Sequence, residues 1–417
     1  MPPSPLGDST RLTRRERAWL PLEYVRTVGP LHGVTVDAVR AALTGLHAAD
    51  PAHRAVSRLH RRRARWEHLD AGAFAGYVRE AVAEGPADPD ELRARLVAER
   101  PGHHPVRILV GGGHVALKVA HAYGDAGPVN VLLREILTAA HQGLAARLPA
   151  APRARLALAC AGWQHFGASG RKLRAGLRVT LPPPAAPAPS RAWRPELTGL
   201  STRSAGALGR MRSWRDAHAP GATTSAIAFA AFTAALGRLG LDPDLSGGVF
   251  LADARRYLPA GVRIDSNFCW GQYLTPADLA DPVSVHQAIR AELASGRMLT
   301  MMALREIRIA ALGAPHAPTP YPARVPAAPR PRLTFGNQGR HDLLGDLPWA
   351  AAPADRVNSS LPTLAAPDGI SLGTSEMNGV LHLDVAFHAS TYDPDTVRRA
   401  LHLVCEDPAG LVTAGRR

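Results

Sequence analysis

A chain of 417 residues with 46% hydrophobic content can bury more than one core, and two lobes are the starting expectation. Its formal charge of +14 suits an acidic carrier protein, nucleic acid, a phosphate-bearing cofactor or an anionic membrane face, but its Arg- and Ala-rich composition is equally a background bias, so charge selects none of them. Cysteines at 160, 269 and 405 without close pairing, a start (MPPSPLGDSTRLTRRERAW) with no apolar run behind its charges, and no apolar stretch of bilayer length argue against a disulfide scaffold, a secretion signal and a membrane span, and make a cytoplasmic protein the expectation.

Thr35 caps a predicted helix in which Val36, Val39, Leu43 and Leu46 recur at spacings of three and four, and Asp50-Pro51 stops it. The stretch from Arg61-Arg62-Arg63 to Trp66 reads as strand or loop. Its basic run is ordinarily a solvated face, with a phosphate- or partner-binding role as the alternative. Val106–Val110 and Val115–Ala120 are β-rich runs around Gly111-Gly112-Gly113, which predicts a tight hairpin. The second run ends at His121, and a loop through Asp125 and Gly127 leads into a helix. Pro128 suits that helix's first turn, and Val129, Leu132, Leu133, Ile136 and Leu137 form its buried side.

Leu181–Pro189 (LPPPAAPAP) sustains neither a helix nor a central strand. It sets the expected division into a first lobe (1–180), a Pro-rich linker (181–194) and a second lobe (195–417). Beyond it, Thr223 or Thr224 caps a helix carrying Phe229, Phe232, Leu236 and Leu239 on one side, followed by a strand at Gly248–Ala252. Ile370–Leu372 and Leu381–Phe387 read as late strands and Asp393–Val404 as a closing helix. The Pro-rich Ala314–Pro331 segment is expected to be a long surface excursion. There is no internal repeat and no phosphate-binding glycine signature in a strand-to-helix setting, so nucleotide-dependent chemistry is unsupported.

His121-Ala-Tyr-Gly-Asp125 is an H-x-x-x-D pattern, which arises readily in a chain with 18 histidines. A histidine at a strand end before a turn is nonetheless held by rigid scaffold while facing a cleft, as a base needs. The local alternative is that His121 and Asp125 satisfy one another or cap the next helix. Cys269 follows an apolar residue in a predicted strand without a clear histidine partner, so a buried structural thiol is the better reading than a nucleophile. His103-His104 and His114 come with no matching carboxylate or cysteine set, and no metal site is expected. Met298, Met301 and Met302 fit ordinary core, with an acyl pocket as the alternative.

Read in order, several segments resemble the landmarks of the chloramphenicol acetyltransferase-like, condensation-domain superfamily. VTVDAVRAALTGLHAADPAHRAV is similar to its first helix and following hP-x-L-R turn, and the strand pair leading to AHAYGDAG resembles its H-H-x-x-x-D-G segment. GATTSAIAFAAFTAALGRL resembles its T-x-N-D helix, DARRYLPAGVRIDSNF its D-x-R and G-N segment, LTFGNQG its late S-N-x-G strand and loop, and ISLGTSEMNGVLHLDVAFH its last hairpin. The resemblance extends from Leu31 to Val404, although each motif apart from H-x-x-x-D is degenerate. It departs from the pattern where Ala120 replaces the first histidine, Ala126 the glycine after the aspartate, and Ser266 the glycine of G-N.

The resemblance implies an α/β fold of two lobes, each a mixed sheet with flanking helices, with an active-site tunnel between them. It implies His121 as the catalytic base, Asp125 as a structural carboxylate, Arg255 as its partner from the other lobe with Arg256 as rival, and Asn267 as the G-N asparagine. Tyr123, Gly127, Asn267, Trp270 and Thr334 are the candidates for substrate binding along the tunnel. The activity implied is acyl transfer from a thioester to a hydroxyl or amine on a small-molecule acceptor, as in bacterial natural-product or lipid assembly. No bound cofactor is implied; the co-substrate is acyl-CoA or a phosphopantetheinyl carrier thioester, and an acidic acyl or peptidyl carrier protein is the expected partner. Loss of the glycine at Ala126 keeps a second reading open, a non-catalytic module that binds a carrier or pathway intermediate. Nucleic-acid binding lacks the interleaved aromatic and basic residues it would need.

Overall fold

The computed structural model describes residues 8–149, 156–167, 169–178, 181–183, 189–315, 319–364 and 366–414. Two sheets organise the molecule. The first has five strands in the order Val357–Pro362, Glu23–Gly29, His114–Ala120, Val106–Gly111 and Val82–Glu84, antiparallel except where Val82–Glu84 runs parallel to its neighbour. Every residue of Glu23–Gly29 is buried, because both faces are covered. Tyr24 and Val28 join the core under the helices Val36–Ala49, Ala71–Ala81 and Ala126–Gln142, while Val25 packs with Leu92 and Leu96 of the helix Pro89–Ala98 on the opposite face. A strand covered on both sides shows no alternation, which is why periodicity did not find it.

The hairpin around the glycines forms as expected. Gly111 pairs with His114, and Gly112 and Gly113 take the two positive-φ turn positions at 56° and 76°, which suits a two-residue connection of right-handed twist. The expected helix caps also form, with Thr35 accepting from the Ala38 N–H and Thr223, rather than Thr224, from that of Ala226.

The second sheet has six strands in the order Cys269–Leu274, Gly248–Asp253, Arg332–Arg340, Gly369–Met377, Val380–His388 and Leu197–Ser204. Its helix-covered face centres on Phe229, Phe250 and Phe335, with ring centroids 4.7 to 6.0 Å apart. Phe250 and Phe335 are register partners on parallel strands, so each fixes the depth of the other as well as burying a ring worth roughly 1.5–3 kcal/mol. No helix among the described residues is long and apolar enough to cross a membrane.

Three features differ from the linear division of the chain. Residues 184–188 of the Pro-rich linker lie outside the described residues, while Ser190–Ala192 forms a strand paired with Arg324–Pro326. The second half returns to the first lobe: Val357–Pro362 is an edge strand of the first sheet, and Leu344, Leu347 and Met377 complete its core. The two lobes therefore share chain, and a cut near residue 195 would remove a strand from the first. The described residues of the 314–331 excursion are mostly exposed, as expected of a surface segment, but it is anchored at Tyr321, whose hydroxyl donates to the Leu364 carbonyl and whose ring packs on Trp193 and His388. The basic run divides as well: Arg61 turns inward onto Glu23 and the Leu20 carbonyl, whereas Arg62 and Arg63 remain exposed.

Candidate active site

The strand His114–Ala120 delivers His121 to the junction of the lobes, where the His121 N–H donates to the Leu22 carbonyl at 2.8 Å. The loop that follows is held by its carbonyl groups. Asn267 Nδ2 donates to the His121 carbonyl, Arg54 Nη1 to that of Tyr123 at 2.9 Å, and the Tyr24 hydroxyl to that of Gly124 at 3.1 Å. These donors come from both lobes, so the loop geometry is fixed only when the lobes are together.

Asp125 is 8% exposed and caps the helix Ala126–Gln142 through the Gly127 N–H. Its carboxylate meets Arg255 in a bidentate pair, Nη1 to Oδ2 at 2.9 Å and Nη2 to Oδ1 at 3.0 Å, and also accepts from the Phe268 N–H at 2.8 Å. Arg255 in turn donates to the Ser266 carbonyl at 2.7 Å and to Asp253 at 3.2 Å. Burial alone would lower the Arg255 pKa, but Asp125 and then Asp253 outweigh it and the net shift is upward. The short 3₁₀ turn Ala254–Tyr257, capped by Asp253, points Arg255 inward and leaves its neighbour Arg256 exposed, which decides between them.

His121 does not stand free. Its ring stacks on Trp19 (centroids 4.3 Å, interplanar angle 22°) and meets Tyr24 edge-on at 5.0 Å. Nδ1 is buried without a hydrogen-bond partner, as is Asn267 Oδ1. Burial lowers the His121 pKa; Asp125 opposes this, and Arg305 adds to it. The imidazole is therefore neutral at pH 7, the form a base requires. Because burial is the main cause, Trp19→Ala is expected to move the His121 titration back up toward 6.5, as followed by NMR of the ring protons; an unchanged titration would remove Trp19 from the account.

Between the lobes lies a cavity of about 970 Å³ whose wall includes Leu22, Val97, Leu200 and Leu361, with Lys118 and Arg305 among its charged groups. His121 is not in this wall. The contact path to it runs through Arg305, whose guanidinium lies over the Trp19 ring at 4.9 Å and over Trp270 at 5.6 Å, and then through Trp19. The expected open tunnel onto the imidazole is therefore not what this cavity provides: it meets the His121 corner at Arg305, and Trp19 and His121 are half-buried outside its wall.

The other sequence candidates separate. Asn267 and Trp270 reach this corner, the first through the His121 carbonyl and the second through Arg305. Gly127 serves the Asp125 cap; a Cβ there would sit 3.4 Å from Asp125 Oδ1 in ordinary contact, so space does not demand glycine. Tyr123 corrects the expectation of a tunnel-lining ring, since it is 1% exposed in the first-lobe core under the Arg54 guanidinium. Thr334 lies mid-strand between Val249 and Ser371, and among the described residues the contacts around His121 do not involve it. Met298 and Met302 are core, packed with Tyr257 and Phe268. Burial, then Asp125, raises the Cys269 thiol well above its ordinary range, which keeps it protonated and unfit as a nucleophile.

Trp19, Tyr24, Arg54 and Arg305 were missed. Arg54 is the most informative, because it pairs with Glu16 at 3.1 Å and Asp265 at 2.7 Å while holding the Tyr123 carbonyl. Its signal was present in the Pro51-Ala-His-Arg54 turn. Trp19 and Arg305, which lie far apart in sequence, carried none.

No protein-family model and no curated protein sequence matches the chain. Solved structures do. Trichothecene 15-O-acetyltransferase from Fusarium sporotrichioides aligns with a TM-score of 0.58 at 10% identity over 96% of this chain and 93% of that one. The epimerization domain from the third module of tyrocidine synthetase B gives 0.56 at 14% over 99% of both, and the first condensation domain of the CDA synthetase 0.55 at 14% over 98% and 97%. Against the nonribosomal peptide synthetase FmoA3 the score is 0.56 at 17% identity, and the chain spans 45% of that protein.

Proposed function

From a chain that has the two-lobed chloramphenicol acetyltransferase-like, condensation-domain fold, we propose an acyltransferase that moves an acyl group from a thioester to a hydroxyl or amine, with His121 as general base. The observation that carries this reading is the bidentate Asp125–Arg255 pair that joins the lobes beside an imidazole held at a strand end, where burial lowers its pKa and favours the neutral form. His121 takes the proton of the acceptor hydroxyl or amine as that atom attacks the thioester carbonyl. A new C–O or C–N bond forms, the C–S bond breaks, and the proton passes from the imidazole to the departing thiolate. With Nδ1 turned into the protein, Nε2 is the nitrogen assigned to this transfer. No covalent enzyme intermediate is required, and Asp125 takes no proton.

The interlobe cavity is of a size that suits a small-molecule acyl group or acceptor, and the charge of +14 complements an acidic carrier protein as thioester donor. The test is thiol release from a panel of acyl-CoA and acyl-carrier thioesters with mixed alcohol and amine acceptors. Acceptor-dependent release supports the reading; no turnover of any thioester argues against it. The pH profile is a second check. Since only the neutral ring accepts a proton and its pKa is lowered, kcat/KM should fall on the acid side with a midpoint below 6.5 and be flat through neutrality. A midpoint above 7 would point to another group.

The stacking of Trp19 on His121 favours a second reading, a binding module whose histidine is covered. The two separate on Trp19→Ala. If Trp19 is a movable screen, activity persists or rises in the variant; if the fold is non-catalytic, thiol release is absent from both proteins while carrier or intermediate binding remains.

A further inference from the structure

Away from the His121 corner, the turn before the strand Val106–Gly111 carries His103 and His104, and the last turn of the helix Ala71–Ala81 carries Glu80. Each histidine Nε2 lies 3.8 Å from Glu80 Oε2, and one ligand atom from each of the three residues lies within 4.8 Å of the others. Both Nε2 atoms are buried and have no hydrogen-bond partner. A buried nitrogen left in that state is costly, and two of them converging on one carboxylate call for a common explanation. We propose that Glu80, His103 and His104 bind a transition-metal dication of the zinc class, with water completing the coordination.

The surroundings hold the donors in place. The rings of His103 and His104 pack at 4.1 Å, and Tyr77 contacts both at 6.1 and 4.7 Å while its hydroxyl donates to the Ser57 carbonyl at 3.0 Å. The His103 carbonyl accepts from the Leu59 N–H at 2.7 Å, which pins the turn. A tetrahedral ion about 2.1 Å from each donor requires donors about 3.4 Å apart, so binding draws the two histidine nitrogens and the Glu80 carboxylate together from within 4.8 Å, and the Glu80 side chain, 66% exposed, is the one most free to shift. Imidazole nitrogens suit zinc, cobalt, nickel and copper, whereas calcium and magnesium take oxygen sets. Burial disfavours protonation of both rings, that of His104 down to about 4, with Arg58 and Arg107 adding to it. Those two cations oppose a metal ion as well, although Glu67 and Glu99 at 3.2 Å each neutralise much of their charge. The histidine pair is visible in the sequence, but its carboxylate is not, because Glu80 lies on a different element.

The site would tie the Ala71–Ala81 helix to the turn whose Pro105 carbonyl accepts from the Ala120 N–H, next to His121. Its expected effect is therefore on stability, through preferential binding to the folded chain. The test is calorimetric titration of the metal-stripped full chain with zinc, together with cobalt(II) absorption and thermal melting. The wild type should bind one ion per chain above the background set by its other histidines, with a rise in Tm. His103→Ala and His104→Ala should each lose at least about 100-fold in affinity and the Tm rise, since even outer-shell partners cost 10–100-fold. His60→Ala serves as the background control and should titrate as the wild type does. Glu80→Gln changes an exposed side chain, so it keeps the test valid if a histidine variant fails to fold; it should weaken binding and abolish the cobalt spectrum of the site. Wild-type isotherms in the histidine and Glu80 variants, or no saturable binding and no Tm rise in the wild type, would overturn the proposal.

Discussion

His121→Ala is expected to reduce acceptor-dependent thiol release by about 10² to 10⁴-fold, the usual contribution of a positioned general base, in a protein that remains folded. In the proposed mechanism the imidazole at the lobe junction, its pKa lowered by burial, is the base, and burial keeps the nearby thiol of Cys269 protonated, so it offers no substitute route. The ring also packs between Trp19 and Tyr24, and truncation leaves a gap. His121→Gln fills most of that gap without restoring basicity, so it should be as inactive as the alanine variant while melting closer to the wild type. Equal release in wild type and either variant would end the His121 mechanism, whereas release absent from all of them would leave the covered-histidine reading in place.

Breaking the Asp125–Arg255 pair is expected to cost roughly 3–5 kcal/mol of stability, as removal of one partner from a largely buried ion pair does. Asp125→Ala leaves the Arg255 guanidinium with only the more exposed Asp253 as counter-charge, orphans the N–H of the fully buried Phe268, and removes the helix cap. The capping share is about 1 kcal/mol, so most of the loss comes from the broken bidentate pair and the orphaned Phe268 N–H. Arg255→Met strands the carboxylate but leaves the Phe268 and Gly127 donors with it, and should cost less. The double variant should be more stable than the two losses added together predict, because neither charge is then left alone. Additive losses in denaturant unfolding would show that the pair is not coupled. Arg256→Ala, on an exposed side chain, should sit within about 0.5 kcal/mol of the wild type.

Local chemistry carried much of this in advance. The glycine turn at 111–113, the caps Thr35 and Thr223, and the closing helix, which runs Pro394–Glu406, follow from propensity and from the spacing of apolar residues. The strand Glu23–Gly29 was illegible for an equally physical reason. It buries Glu23 and Arg26, which no local rule places in a core. Glu23 is met by Arg61 and Lys118, and Arg26 by Asn130, Asn358 and Gln338, partners supplied by distant parts of the chain. Tyr123 and Thr334 were misplaced because their neighbourhood, rather than their position in a motif, decides which way each side chain is used.

By itself the sequence determined the H-x-x-x-D loop with Asp125 at its end, narrowed the partner of Asp125 to Arg255 or Arg256, and through the order of its motifs and the resemblance they carry implied the two-lobed architecture. Only the tertiary structure decided that Arg255 rather than Arg256 makes the pair, that Val357–Pro362 joins the first sheet, that Trp19 stacks on His121 with Arg305 over its ring, and that Glu80 meets His103 and His104. Each of these joins groups far apart in sequence, or turns on which face of a turn meets the other lobe. Such encounters are set by the packing of both cores at once, and leave no periodic trace along the chain.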